Sequence, residues 1–187
     1  MKQQTPSVIK YGDIEVPLLI RHWKRRLEMV PYFRTDLLKT GQCWRDAPTS
    51  WNVKGYTEHY VQLDDGPIPV GVMIAREQRD AEARMALCTD LTLGALRLIS
   101  PDLILVDPEP PLAEILAELY TANGCRWSGL PDAIAVFPDG RVAMREAKVA
   151  HKDRLNPNQH SFAQVARHVI GAKLDLAVVE WGYETSH

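Results

Sequence analysis

The amino-acid sequence predicts an α/β fold in which a mixed β-sheet is flanked by helices, with an N-terminal extension or small domain of uncertain fold. The main observation is a hairpin at residues 129–148, where two apolar runs surround Pro138-Asp139-Gly140-Arg141. Pro-Asp-Gly between apolar runs predicts a tight turn, because proline fixes one φ angle and glycine supplies a positive one. Helix-like apolar spacing on both sides of this hairpin and a closing apolar run at residues 174–181 complete the pattern.

Length, charge and cysteine content limit the class of protein. The 187 residues suit one domain or one and a half, and a net charge of −2 argues against a wholesale basic coat. The three cysteines form no close pair and no C-x-x-C motif, which favours a reduced, cytoplasmic setting over a disulfide framework or a zinc site. No apolar run reaches membrane-spanning length and the start lacks a signal-peptide core, so we expect no membrane partner.

The first hundred residues are predicted to contain two strands, a basic cluster and a helix. Residues 8–10 and 14–20 have the apolar content of short strands, and the densest basic run of the chain follows at residues 21–26. Basic residues interleaved with aromatic ones can hold phosphates and stack bases, although a solvated helix face with aromatic core anchors gives the same pattern. Alanines and mixed charges predict a helix from residue 73 to about residue 99.

A domain boundary is predicted in the proline-punctuated segment at residues 100–111. We therefore divide the chain into an N-terminal region, residues 1–108, and a second domain, residues 109–187. The N-terminal region is a candidate for binding nucleic acid or a partner protein.

The second domain is predicted to run helix, short strand, hairpin, helix, strand. The first helix spans residues 112–122, and residues 125–127 have the composition of a short strand. Asn156 and Pro157 are typical of a helix N-cap and first position, and that helix should continue to about Ile170. Residues 174–181 form the closing strand.

The hairpin is predicted to gather two carboxylates and an amine at one end of the sheet. Asp132 begins the outgoing strand and Glu146 lies near the end of the returning strand, so the two ends lie side by side. Strand alternation places Lys148 on the same face as Glu146 and Ala147 on the other. This grouping suits metal-dependent hydrolysis. The alternative is an accident of spacing, with a turn aspartate and an exposed charge pair.

The motifs Pro131-Asp132 and Glu146-Ala147-Lys148, with this order of elements, resemble the PD-(D/E)XK nuclease superfamily. The polar loop after Lys148 and the helix that carries Gln159 are similar to its VRR-NUC branch. The segment from Glu114 to residues 124–128 is similar to the archaeal Holliday-junction resolvases. The resemblance covers about residues 110–184 and implies a restriction-endonuclease-like fold.

The resemblance implies a Mg²⁺ or Mn²⁺ site and a role for each motif residue. Asp132, Glu146 and the carbonyl of Ala147 would hold the metal, since Mg²⁺ prefers oxygen ligands. Lys148 would position the attacking water and stabilise negative charge. Gln159 shares a helix face that packs on the sheet, so it should point to the site.

Two further sets of residues are predicted to assist. Glu114 would be the acid on the first helix, with Glu118 in reserve. Contacts to nucleic acid are expected from basic residues near the hairpin and from the N-terminal cluster, which are Arg126, Arg145, Lys152, Arg154, Lys24, Arg25 and Arg26.

The sequence therefore predicts a Mg²⁺-dependent endonuclease that hydrolyses phosphodiester bonds, with DNA favoured over RNA and branched or structured DNA as one candidate. The alternative is a nucleic-acid-binding or partner-assembled module of the same fold with little or no activity alone. A homodimer or a complex with a partner protein is compatible with both. We expect Asp132→Ala and Lys148→Ala to abolish cleavage and to leave folding intact.

Overall fold

The computed structural model describes residues 7–23, 60–63, 66–92 and 95–183. The strands of this part of the chain are β1 (Val8–Tyr11), β2 (Ile14–Trp23), β3 (Tyr60–Leu63), β4 (Gly66–Pro69), β5 (Met85–Thr92), β6 (Ala95–Ile99), β7 (Leu105–Val106), β8 (Ala133–Val136), β9 (Val142–Val149) and β10 (Leu174–Tyr183). Its α-helices are α1 (Val70–Asp80), α2 (Leu112–Ala122) and α3 (Pro157–Ile170), and a short 3₁₀ helix, Gly171–Lys173, leads into β10.

Eight of these strands form one mixed sheet in the order β1-β2-β10-β9-β8-β5-β6-β7, while β3 and β4 pair separately. β10 is parallel to both β2 and β9, and the remaining neighbours are antiparallel. The predicted α/β class with a mixed sheet flanked by helices is confirmed.

Helices cover both faces of this sheet. The larger core lies on one face, where α2 and α3 supply buried residues such as Leu116 and Phe162. A second core lies on the opposite face, where α1 supplies Val72 and Ile74. Alternation along β9 divides its side chains between the two, with Met144 in the first core and Ala147 against the second.

The strands near the N-terminus, the helix at residues 112–122, the hairpin, the helix after Asn156 and the closing strand were all predicted correctly. Local signals explain this agreement. Asn156 accepts a hydrogen bond from the Gln159 N–H while the Gln159 side chain accepts from the Asn156 N–H, which forms a capping box with Pro157 in the first turn.

Two predicted elements are wrong. The helix expected to reach residue 99 ends at Asp80, and β5 and β6 follow it. A left-handed residue, Glu82 with φ of 66°, reverses the chain, and β5 then pairs with both β6 and β8 in the interior of the sheet. Residues 125–127 form no strand, because Cys125 has φ of 57° and Trp127 packs against the ring of Tyr120.

The sheet takes strands from both sides of the predicted boundary between residues 108 and 109. β2 pairs with β10, and β5 pairs with β8. In the described residues the two regions therefore contribute to the same sheet. No helix in these ranges is long and apolar enough to cross a membrane.

Candidate active site

The β8–β9 hairpin places Asp132 beside Glu146. Ala133 pairs with Arg145, so the next residues outward, Asp132 and Glu146, face each other across the two strands. The Ala147 N–H donates to Oδ2 of Asp132 at 2.7 Å, and the Thr89 N–H donates to the main-chain carbonyl of Asp132 at 2.9 Å. The aspartate is thus fixed between β5 and β9.

Glu146 is the centre of the group, with only 2% of its surface exposed. Its Oε1 atom lies 2.9 Å from Nζ of Lys148 and accepts a short hydrogen bond from Nε2 of Gln159. Its Oε2 atom is buried and has no hydrogen-bond partner within the part of the chain that the structure describes. One carboxylate oxygen is therefore held by two donors, and the other is available.

Lys148 lies on the same side of the sheet as Glu146, as strand alternation predicts. It is 8% exposed, and its Nζ atom also lies 3.4 Å from Oδ2 of Asp153 in the loop that follows β9. Sequence reasoning gave Asp153 no role. Its position five residues after Lys148, in a turn of the chain, is the only signal that the sequence offers for this contact.

Burial and neighbouring charge act on both partners of this ion pair. Burial raises the pKa of Glu146 well above its ordinary value, and the nearby Asp132 charge adds to this effect while Lys148 opposes it. Burial alone would lower the pKa of Lys148, but the carboxylates of Glu146, Asp153 and Asp132 outweigh it and raise that pKa. Lys148 is therefore an ammonium group at neutral pH.

Gln159 connects the helix to the site, as its place on the packed face of α3 predicts. Its Oε1 closes the capping box, and its Nε2 donates to Glu146. Gly129, with φ of 87°, lets the preceding loop lie directly on this first turn, since a Cβ there would overlap the carbonyl of Asn158. The loop before β8 and the first turn of α3 are therefore in close contact beside Asp132.

Tyr11 is a second residue that sequence reasoning missed. It is fully buried, and its hydroxyl has no hydrogen-bond partner among the described residues. The charges of Glu146 and Asp132 both act on it. No local motif marks this residue, because it comes from β1, far from the hairpin in sequence.

Other predicted residues are not part of this group. Glu114 and Glu118 are exposed on α2, and Glu118 lines a shallow groove with His168. Neither belongs to the hydrogen-bond network that surrounds Glu146 in the described ranges.

Arg145 points to the opposite face of β9 from Glu146, and its guanidinium is bound to Asp175 at 2.8 Å. Arg141 also binds Asp175, at 2.6 Å. Burial acts to raise the pKa of Asp175, but the hydrogen bonds and charges of the two arginines outweigh it and lower that pKa. The structure thus gives Arg145 an ion pair within the fold, away from the hairpin carboxylates.

The remaining predicted contacts to nucleic acid are exposed or lie outside the described residues. Arg126, Lys152 and Arg154 are exposed in loops, while Lys24, Arg25 and Arg26 fall outside the described ranges. Trp23, which lies within the same cluster, is 7% exposed and packs on Trp181 with ring centroids 6.0 Å apart. Trp23 is therefore a core residue and is not positioned to stack on a base.

The described residues contain no group of three or more His, Cys, Asp or Glu side chains that could hold a metal ion. Among these residues, the hairpin brings together the carboxylates of Asp132 and Glu146 and the main chain of Ala147. Comparison of the chain with protein-family models, with curated proteins and with solved structures gives no match.

Proposed function

We propose that this protein is a metal-dependent nuclease that hydrolyses phosphodiester bonds, with DNA favoured over RNA as its substrate. The observation that supports this most is the grouping of Asp132, Glu146 and Lys148 at the end of one hairpin, with Gln159 bound to Glu146. This is the constellation that the resemblance to the PD-(D/E)XK superfamily implies.

The residues present fit a Mg²⁺ or Mn²⁺ ion. The Oε2 atom of Glu146 is a buried carboxylate oxygen without a partner in the described residues, and such an atom is costly to bury unless something binds it. The Ala147 N–H points to Asp132, and the carbonyl of a strand residue points the same way as its N–H. Two carboxylates and one carbonyl are enough for Mg²⁺, which keeps several waters and uses few protein ligands.

Each side chain has a distinct role in this proposal. A bound Mg²⁺ or Mn²⁺ would lower the pKa of a water ligand and neutralise charge on the phosphate. Lys148, as an ammonium group, would stabilise the negative charge that builds on phosphate oxygens. Gln159 orients Glu146 by holding Oε1, which leaves Oε2 for the cation. Hydrolysis adds water across a phosphorus–oxygen bond, so no other co-reactant is needed.

The element order supports the same proposal. A restriction-endonuclease-like fold implies a helix, a strand, a hairpin, a helix and a closing strand, and α1, β5, β8–β9, α3 and β10 follow that order. The strand beside the hairpin is β5 and not residues 125–127. In this arrangement α2 falls between β7 and β8, so the role predicted for Glu114 has no structural support.

The strand ends also suggest where a substrate would lie. β2, β9 and β10 are parallel, and they end at the edge of the sheet where Asp132 directly precedes β8. β2 ends at this edge with Trp23, and the basic residues 24–26 follow it directly in sequence. An acidic site that must hold a polyanion needs positive charge close by, and this run and the exposed Lys152 and Arg154 would supply it.

A cleavage assay tests the proposal. The purified protein should cut DNA in Mg²⁺ or Mn²⁺ and lose activity in EDTA, with plasmid, branched DNA and RNA compared in parallel. Asp132→Asn should reduce kcat by at least about a hundredfold, because one metal ligand is lost. Asp139→Asn, an exposed aspartate at the hairpin turn, is the matched control and should cut at the parent rate.

The outcomes separate the candidates. Binding without cleavage would support the nucleic-acid-binding module, and cleavage only after addition of a partner would support the partner-assembled enzyme. Cleavage that survives EDTA or the Asp132→Asn change would contradict the proposed site.

A further inference from the structure

Tyr11 is held firmly against the start of α3. It ends β1, and the turn that follows it docks on the helix, where the Gly12 N–H donates to Nδ1 of His160 at 2.9 Å. The Tyr11 ring meets the His160 ring edge-on, with centroids 6.3 Å apart and an interplanar angle of 89°. His160 directly follows Gln159, so the phenol lies beside the turn of helix that holds Glu146.

The phenol hydroxyl is a buried donor that lacks an acceptor. Tyr11 is fully buried, and neither its hydroxyl nor Oε2 of Glu146 has a hydrogen-bond partner in the described ranges. Burial raises the pKa of Tyr11 far above its ordinary value, and the charges of Glu146 and Asp132 raise it further. The hydroxyl therefore keeps its proton and can donate it, and Tyr11 packs on His160, directly after the Gln159 that binds Glu146.

The two unpaired atoms are complementary. A buried O–H without an acceptor is unfavourable, and so is a buried carboxylate oxygen without a donor. Native proteins contain few buried polar groups of either kind that lack a hydrogen-bond partner. A single ordered water that accepts from the phenol and donates to one lone pair of Oε2 would remove both penalties and leave the second lone pair of Oε2 for a cation.

We infer that Tyr11 is a positioning residue of this site, and that its hydroxyl donates to an ordered water that binds Oε2 of Glu146. Gln159 and Lys148 hold Oε1, and Tyr11 controls the environment of the other oxygen. Together, Gln159, Lys148 and Tyr11 fix the plane of the Glu146 carboxylate, which would face the cation. The role in cleavage rests on the proposed function, whereas the link between Tyr11 and Glu146 does not.

The test begins with Tyr11→Phe, which removes the hydroxyl and keeps the packed ring. Tyr120→Phe is the matched control, because Tyr120 is a partly buried phenol that packs on Trp127. Mn²⁺ binding, followed by electron paramagnetic resonance, should weaken about tenfold in Tyr11→Phe, as for other residues that orient metal ligands. Tyr120→Phe should bind Mn²⁺ as the parent does. In cleavage, Tyr11→Phe should lower kcat and leave KM for DNA unchanged.

A metal-free measurement tests the link by itself. Urea unfolding at pH 8 is compared for the parent, Tyr11→Phe, Glu146→Gln and the double variant. The loss caused by Tyr11→Phe should be smaller in the Glu146→Gln background, since a neutral amide oxygen is a weaker acceptor than a carboxylate.

Two results would overturn the inference. One is Mn²⁺ binding by Tyr11→Phe at the parent affinity. The other is an equal effect of Tyr11→Phe on unfolding in both backgrounds. If the parent neither cuts nor binds Mn²⁺ while the unfolding effects remain coupled, the nuclease proposal fails and the link between Tyr11 and Glu146 stands.

Discussion

Replacing Lys148 by methionine should destabilise the fold as well as stop cleavage. Lys148 is 8% exposed and Glu146 is 2% exposed, and their charged atoms are 2.9 Å apart. Methionine keeps the apolar stem of lysine but leaves the buried carboxylate of Glu146 beside Asp132 without its ammonium partner. The sequence-based expectation that Lys148 can be replaced with folding intact takes no account of this burial.

The expected loss depends on pH. Removing one partner of a buried ion pair costs about 3–5 kcal/mol, and we take about 3 kcal/mol because Glu146 can escape part of the penalty by binding a proton. Burial and Asp132 already raise the pKa of Glu146 against the opposing effect of Lys148, so Lys148→Met raises it further. A folded-state pKa above the unfolded value means that stability falls as pH rises through it. The loss should therefore be largest near about pH 8 and smaller near about pH 5.

Urea unfolding at those two pH values measures the effect. With a slope of about 2 kcal/mol per molar urea, the midpoint at the higher pH should fall by about 1.5 M. Lys152→Met is the matched control, because Lys152 is exposed in the loop after β9 and its change should stay within about 0.5 kcal/mol. Adding Glu146→Gln to Lys148→Met should restore most of the lost stability. Equal midpoints for Lys148→Met and Lys152→Met at the higher pH would refute the reasoning.

Three further changes test other parts of the molecule. Gly129→Ala should cost at least about 1 kcal/mol more than Gly171→Ala, because both glycines have positive φ but only a Cβ at residue 129 meets other atoms; equal losses in urea unfolding would show that this close approach is unimportant. Asp175 is partly buried, but Arg145 and Arg141 outweigh this effect and lower its pKa. Its contribution to the stability of the fold is therefore present above about pH 4 and is lost as pH falls through the folded-state pKa. In Asp175→Asn, the free energy of unfolding should therefore fall less steeply as the pH is lowered below about 4. The same steepness as in the parent would contradict this. Changing residues 24–26 to alanine should reduce the slope of log affinity against log salt by about one unit for each phosphate contact removed, whereas an unchanged slope would mean that this cluster does not contact nucleic acid.

The hairpin and the last helix could be predicted because their signals are local. Pro-Asp-Gly determines both the turn and the register, and the register alone brings Asp132 opposite Glu146. Asn156 and Pro157 mark the start of α3 within two residues, and the capping box between Asn156 and Gln159 holds Gln159 beside the site. In each case the residues that carry the information are neighbours in sequence.

β5 could not be predicted in the same way, because its reason for being a strand is remote. Its residues pair with β6 on one side and with β8 on the other, and partners as distant as β8 override a weak local preference for helix. The chain reverses before β5 at Glu82, which has a left-handed conformation. Because this position is neither glycine nor proline, the sequence gives no local signal for the turn. The strand predicted at residues 125–127 rested on local composition alone, whereas the strand that pairs with β8 is β5, which lies earlier in the chain.

Strand alternation on β9 also shows how far the sequence can define a site. The rule that puts Glu146 and Lys148 on one face puts Arg145 on the other, and Arg145 indeed binds Asp175 there. The sequence alone therefore indicates that Arg145 lies on the face opposite Glu146 and Lys148, and its contact with nucleic acid stays a prediction. Tyr11 is different, because only the docking of the β1–β2 turn on α3 brings its hydroxyl into the surroundings of Glu146. Local pattern can select the charged residues of such a site, whereas the buried neutral groups that orient them come from elsewhere in the chain and need the folded structure.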